Sequence, residues 1–232
     1  MLIPSIDLMG GQIVQLVQGE KLELAFDDFD YWIERFRKYP LVQLIDLDAA
    51  MRQGNNRELI ERISRELPCQ VGGGIATIEK AEEVLRAGAK RVIVGSSLFQ
   101  ADASANDPAN AVDTEFAAAL SRAIGIEKIV GGVDAKLGKI AIKGWKEQIS
   151  LTPDEAIVQL DPFCGAFLYT HIDKEGTMRG FPIAIAQRLR SLTQRKLIVA
   201  GGIRDKTEVE ALDRIGVDAV AGMAVYRGVM QA

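Results

Sequence analysis

The chain has 232 residues, 48% of them hydrophobic, and a formal net charge of −4. That length suits one large domain with a substantial core, and the acidic balance argues against a nucleic-acid partner. The two cysteines, Cys69 and Cys164, are isolated, and His171 is the single histidine, which argues against a disulfide framework, a metal cluster and a Ser-His-Asp triad.

The first apolar run, 2–7, reads as a strand closed by Asp7, and a second β-like stretch follows at 13–17. Within 19–30, the run Phe26-Asp27-Asp28-Phe29 is open between a mobile lid and a fixed helix start. A helix is expected over 28–38, then a strand over 41–46 that ends near Asp46 and Asp48. One of these two carboxylates is expected to support the site. A helix over 56–66 leads to a strand over 69–72, which runs into Gly72-Gly73-Gly74-Ile75. Thr77 caps a helix over 77–87, and the next strand, 91–95, ends at Gly95-Ser96. The small, polar stretch 101–108 reads as a loop into a helix over 109–124.

The pattern then starts again. A strand over 128–134 closes with Asp134, and a β-like stretch at 139–143 precedes Trp145. Thr152 and Glu155 form a capping box for a helix over 152–160. A strand over 166–170 ends at Thr170, beside His171, which reads as solvent-facing or supportive. A helix over 182–193 and a strand over 196–200 lead into Gly201-Gly202-Ile203. The last helix-strand pair, 205–215 and 218–222, ends at Gly222-Met223 with a short or absent eighth helix. No run approaches the ~20 apolar residues of a membrane span. With no basic segment ahead of an apolar one at the N-terminus, the expected location is the cytoplasm.

Eight apolar strands alternating with helices fit a closed barrel or a doubly wound sheet. Repetition favours the barrel. Asp7 and the first Gly-Gly-Ile are 66 residues apart, against 67 for Asp134 and the second; the following glycines, Gly95 and Gly222, lie 22 and 21 residues further on. The expected fold is an α/β (β/α)8 TIM barrel forming a single domain over 1–232. It would carry an internal twofold half-barrel repeat, with halves at roughly 1–125 and 126–232.

In such a barrel the C-terminal strand ends form the functional face. Gly74, Gly95 and Ser96 on one side, and Gly202, Gly222 and the Met223 amide on the other, would form two anion cradles, because glycine lets bare backbone N–H groups approach a phosphate. Two opposed cradles imply a long ligand phosphorylated at both ends. Asp7 and Asp134 would flank it, one donating a proton and the other removing one. Thr170 would bond Asp134 or the ligand, and Trp145 would either anchor a core or stack on a planar ligand.

The segments Ile-Pro-Ser-Ile-Asp-Leu, Ile-Asp-Leu-Asp, Gln-Val-Gly-Gly-Gly-Ile, Val-Gly-Ser-Ser, Lys-Gly-Trp, Glu-Gly-Thr and Ala-Gly-Gly-Ile together resemble the phosphoribosylformimino-5-aminoimidazole carboxamide ribotide isomerases of histidine biosynthesis. The likeness spans nearly the whole chain, and Gly144-Trp145 separates it from the cyclase of the same pathway. It implies an Amadori rearrangement of a bis-phosphorylated aminoaldose (ProFAR) to an aminoketose (PRFAR), with no metal or cofactor. By the same resemblance Asp134 is the acid that opens the ribose ring, Asp7 the base that takes the C2′ proton, and Gly176 of Glu-Gly-Thr a substrate contact. A monomer is expected, its partner being the small bis-phosphorylated substrate.

The chain departs from the family pattern at Gln15 and Ala76, where arginine is usual, at His171, where an acid is usual, and at Gly222-Met223-Ala224, where Gly-Arg-Ala is usual. Each lost charged hydrogen bond would cost about 1–3 kcal/mol. Arg204, Arg179 and Lys174 are available to compensate. The alternatives are a related barrel of dual or altered specificity, including phosphoribosylanthranilate isomerase activity, and a non-catalytic paralogue that binds a phosphometabolite.

Overall fold

A computed structural model describes residues 1–100 and 107–230. Its elements, in chain order, begin with β1 (Leu2–Met9), β2 (Gln12–Val17), β3 (Lys21–Phe26), α1 (Phe29–Phe36), β4 (Val42–Asp46), α2 (Leu47–Met51), α3 (Arg57–Glu66), β5 (Cys69–Gly72), α4 (Ile78–Arg86) and β6 (Arg91–Val94). They continue with α5 (Thr114–Ile124), β7 (Ile129–Lys136), β8 (Lys139–Ile142), β9 (Glu147–Gln148), α6 (Pro153–Leu160), β10 (Ala166–His171), α7 (Ile183–Leu192), β11 (Lys196–Ala200), α8 (Lys206–Asp213), β12 (Val217–Ala221) and α9 (Met223–Tyr226). Strands β1, β4, β5, β6, β7, β10, β11 and β12 pair in parallel in that order, and β12 returns to β1. The sheet closes on itself as a (β/α)8 barrel.

Closure explains why the strands are apolar on both faces. Ile3, Ile93, Val130, Leu168, Ile198 and Val220 fill the inside of the barrel. Their neighbours Leu44, Val71, Val92, Phe167, Leu197 and Val199 face outward into a second, larger cluster beneath the helices. Each such side chain removed from water contributes about 1.5–3 kcal/mol. Local signals place the helices. The Thr152–Glu155 capping box is present, Thr77 accepts from the Lys80 amide, and Asp205 caps α8. Among the described residues no helix is long and apolar enough to cross a membrane.

The structure decides some open expectations and corrects others. Segment 19–30 holds β3, paired with β2, and then α1, whose first turn is capped by the Asp28 side chain. Phe26, Trp32 and Tyr226 pack together, with Trp32 and Tyr226 ring centroids 4.3 Å apart, so this region is a fixed helix start. The helix expected from 109 begins only at Thr114, because Val112 bridges to Phe99 and Asp113 supplies the cap. Residues 101–106 of the expected loop lie outside the described residues. The short α2 and β9 had no periodicity long enough to announce them. The eighth helix is short, four residues in α9.

Candidate active site

Strand parity aims the two aspartates. Asp7 follows Ile3 and Ser5 on one face of β1, and Asp134 follows Val130 and Gly132 on one face of β7; Ile3 and Val130 are both inside the barrel. Side chains two apart share a face, so both carboxylates rise into the barrel mouth. Asp7 accepts from Ser5 Oγ at 2.7 Å and from Gln15 Nε2 at 3.4 Å. Burial pushes its pKa up to about 6, with the Ser5 hydroxyl pulling the other way. Asp134 accepts from Trp145 Nε1 at 2.9 Å and from Thr170, its register partner on β10. Burial raises its pKa as well, against those two donors.

A third carboxyl joins them. Glu175 lies just beyond the 3-10 turn Ile172–Lys174 that follows β10. Burial first, then the charges of Asp7 and Asp134, push its pKa up to about 8, while the Gly176 amide opposes the shift. Three carboxyls therefore share one electrostatic environment. Sequence reasoning singled out Glu-Gly-Thr but passed over Glu175, because a loop residue has no strand parity to aim it.

The glycines recur in conformation as well as spacing. Gly73 and Gly201 have φ of 101° and 104°, and Gly74 and Gly202 of 67° and 83°. A Cβ at Gly73 would overlap the Asp46 carbonyl, and one at Gly201 the His171 carbonyl, so each loop presses onto the end of the strand before it. Gly95 and Gly222 adopt (φ, ψ) of (−107°, −102°) and (−102°, −84°), each opening a short helical turn. Gly202, Gly222, Met223, Gly176 and Glu175 line one small cavity. Gly176 has φ of 69° and packs against the Leu16 carbonyl, which requires glycine there by itself.

What covers each side differs. On the first side, Ser96 Oγ accepts from the Lys143 amide at 2.8 Å. Lys143, Gly144 and Trp145 follow with φ of 54°, 66° and 68°, which turns the indole inward toward Asp134. There it lies so close to the β2–β3 turn that a Cβ at Gly19 would stand 2.6 Å from its ring. On the second side, a Cβ at Gly222 would overlap the side-chain oxygen of Gln15.

Other candidates fall elsewhere. Asp46 has the outward parity of β4 and is consumed by Ala49 N, Asn56 N and Asn56 Nδ2. Asp48 accepts from Gly10 N and Asn56 Nδ2. Asp48 pins the β1–β2 turn and Asp46 holds the starts of α2 and α3, so neither supports the site directly. His171 is half-buried beside Tyr169 and Phe181, and burial lowers its pKa. Ala76 is exposed. Of the compensating cations, Arg204 is paired with Asp205 and Glu208, while Lys174 lies against Gly202. A larger groove of about 180 Å³ runs between α3 and α4, outside the barrel, where Arg57 and Lys80 both pair with Glu83. It lies behind Gly72 and Gly73, away from the three carboxyls.

Residues 1–231 match the sequence profile of the family described as "Histidine biosynthesis protein". The chain is 34% identical to a protein of Methanocaldococcus jannaschii, over 99% of this chain and 94% of that one. It is 33% identical to one of Methanosarcina barkeri, over 97% and 92%, and 31% identical to one of Thermus thermophilus, over 98% and 94%. All three relatives are named 1-(5-phosphoribosyl)-5-((5-phosphoribosylamino)methylideneamino) imidazole-4-carboxamide isomerase. Matched along almost its full length and folded as a closed parallel barrel, the chain belongs to the histidine biosynthesis protein family.

Proposed function

We propose that this chain isomerises ProFAR to PRFAR in histidine biosynthesis, an Amadori rearrangement of an aminoaldose to an aminoketose. The observation that carries the reading is the pairing of each strand-end aspartate with a neighbouring glycine cradle. Asp7 on β1 lies beside β12 and Gly222, and Asp134 on β7 lies beside β6 and Gly95. A substrate with a phosphate at each end would lie across the mouth, one tail at Gly74, Gly95 and Ser96, the other at Gly202, Gly222 and Met223. Gly176 would close the second end. The names of the relatives support the same substrate. The matched conformations at Gly73 and Gly201, and at Gly95 and Gly222, support a duplicated half-barrel within one domain.

In this reading Asp134, oriented by Thr170 and Trp145, delivers a proton to the ribose ring oxygen as the C1′–O bond breaks. The anomeric nitrogen supplies the electron pair and a Schiff base forms. Asp7 then takes the proton from C2′, giving the enolamine that tautomerises to the ketone. Each positioned proton transfer supplies roughly 10²–10⁴-fold. The proton that Asp7 takes must reach Asp134 before the next turnover, and Glu175, pushed up to about 8 by burial and by the charges of both aspartates, would relay it, giving its own proton to Asp134 and accepting the one on Asp7.

The test is turnover of the purified protein on ProFAR and on phosphoribosylanthranilate, with Asp7→Asn and Asp134→Asn as controls. ProFAR turnover is expected, with each variant reduced about 10³-fold. Wild-type protein that binds a bisphosphate tightly yet converts neither substrate defeats the proposal.

A further inference from the structure

Gln15 stands between the base and the second cradle with one amide edge toward each. The residue is 3% exposed and sits on β2, opposite β1. Its Nε2 donates to Asp7 Oδ2 at 3.4 Å and to the Val14 carbonyl at 2.8 Å. Its Oε1 is pressed onto Gly222, at the rim of the small cavity that Gly202 and Met223 also line.

That orientation turns an acceptor, not a donor, toward the cradle. A phosphate accepts hydrogen bonds and repels a carbonyl oxygen placed against it. The terminal amide torsion is broad and twofold, so the group can turn over without moving its stem. Turned over, Nε2 would donate to the anion, while Oε1 would face Asp7 and the Val14 carbonyl. An acceptor would then face Asp7 where a donor had stood, an arrangement that disfavours its carboxylate and is relieved when Asp7 holds a proton. The lost bond to Val14 returns the amide to its resting orientation when the anion leaves.

We propose that Gln15 is a positioning residue whose amide turns over when an anionic tail enters the Gly222 cradle, so that Asp7 becomes a stronger base only in the occupied site. This rests on the proposed reading of the cradle and deepens it. The other groups facing Asp7 are the Ser5 hydroxyl on its own strand, the Asp134 and Glu175 carboxyls, and the Tyr226 hydroxyl from α9. Of these, Glu175 also lines the second cavity, but it offers no N–H to an anion.

The experiment titrates the Asp7 carboxyl by carbon-13 NMR, with and without saturating inorganic phosphate, in wild type and Gln15→Met. In wild type the midpoint rises by about one pH unit on phosphate binding, and in the isosteric variant by less than half of that, the remainder being the through-space effect of the anion. Equal rises overturn the proposal. The wild-type protein gives a second readout, independent of how the variant folds. The Gln15 side-chain N–H signals should gain a coupling or contact to phosphorus; signals unchanged while phosphate perturbs the Gly202 and Gly222 amides also overturn it. If phosphate perturbs neither glycine amide, the cradle reading itself fails and this proposal with it. ProFAR turnover alongside a fixed amide would defeat this proposal alone.

Discussion

On one side of the barrel mouth Asp7 is met by Gln15, from the hairpin that follows its own strand, and Gln15 also lies on Gly222. On the other side Asp134 is met by Trp145, from the segment that follows its own hairpin, and Lys143 of that segment is bonded to Ser96. The backbones beneath agree to within 20° in φ at each matched pair of cradle glycines. Each aspartate also accepts from one hydroxyl, Ser5 or Thr170, but the residues that reach over them from the hairpins differ. A neutral amide donates weakly to Asp7 at 3.4 Å, while an indole donates to Asp134 at 2.9 Å. A common frame thus holds two carboxyls in unlike environments.

The pH dependence tests this division most severely. In the proposed mechanism Asp7, with a pKa raised to about 6, must be ionised to act as base, so kcat/KM falls tenfold per pH unit below about 6. Glu175, raised to about 8, must be protonated to act as the proposed relay, so kcat/KM falls again above about 8. A rate profile on ProFAR that lacks the alkaline limb removes Glu175 from the chemistry. A smaller effect is expected at Trp145. Trp145→Phe keeps the ring but removes the Nε1 donor, so Asp134 loses one of the two bonds that orient it in the barrel mouth. A fall in kcat of roughly tenfold with little change in KM is expected from steady-state kinetics; a KM effect alone would make Trp145 a binding contact.

The smallest effect concerns stability. Glu175 has a folded pKa of about 8 against an ordinary 4.5, so the folded state holds a proton that the unfolded state gives up as pH rises. Folding therefore loses stability between those two values and loses no more above the higher one. Glu175→Gln removes that loss. Its Tm should exceed wild type by a few degrees at pH 8.5 and by little at pH 4.5. Equal gains at both pH values would mean that Glu175 is not desolvated as described.

The amino-acid sequence by itself determined the strand order and the helix caps, because two-sided apolar runs and short-range capping chemistry act over a few residues. It determined the glycine positions too, since φ near 100° beside a carbonyl admits little else. Strand parity was enough to aim Asp7 and Asp134. Only the tertiary structure decided that Asp46 and Asp48 are structural, that β3 fixes the segment before α1, and that Glu175 joins the carboxyls. Each of these depends on loops meeting across dozens of residues, such as Gly10 with Asp48 or Gln18 with Glu175, where no local period carries information. The placing of Gln15 against Gly222 is the clearest case, since 207 positions separate them and closure of β12 onto β1 alone brings them together.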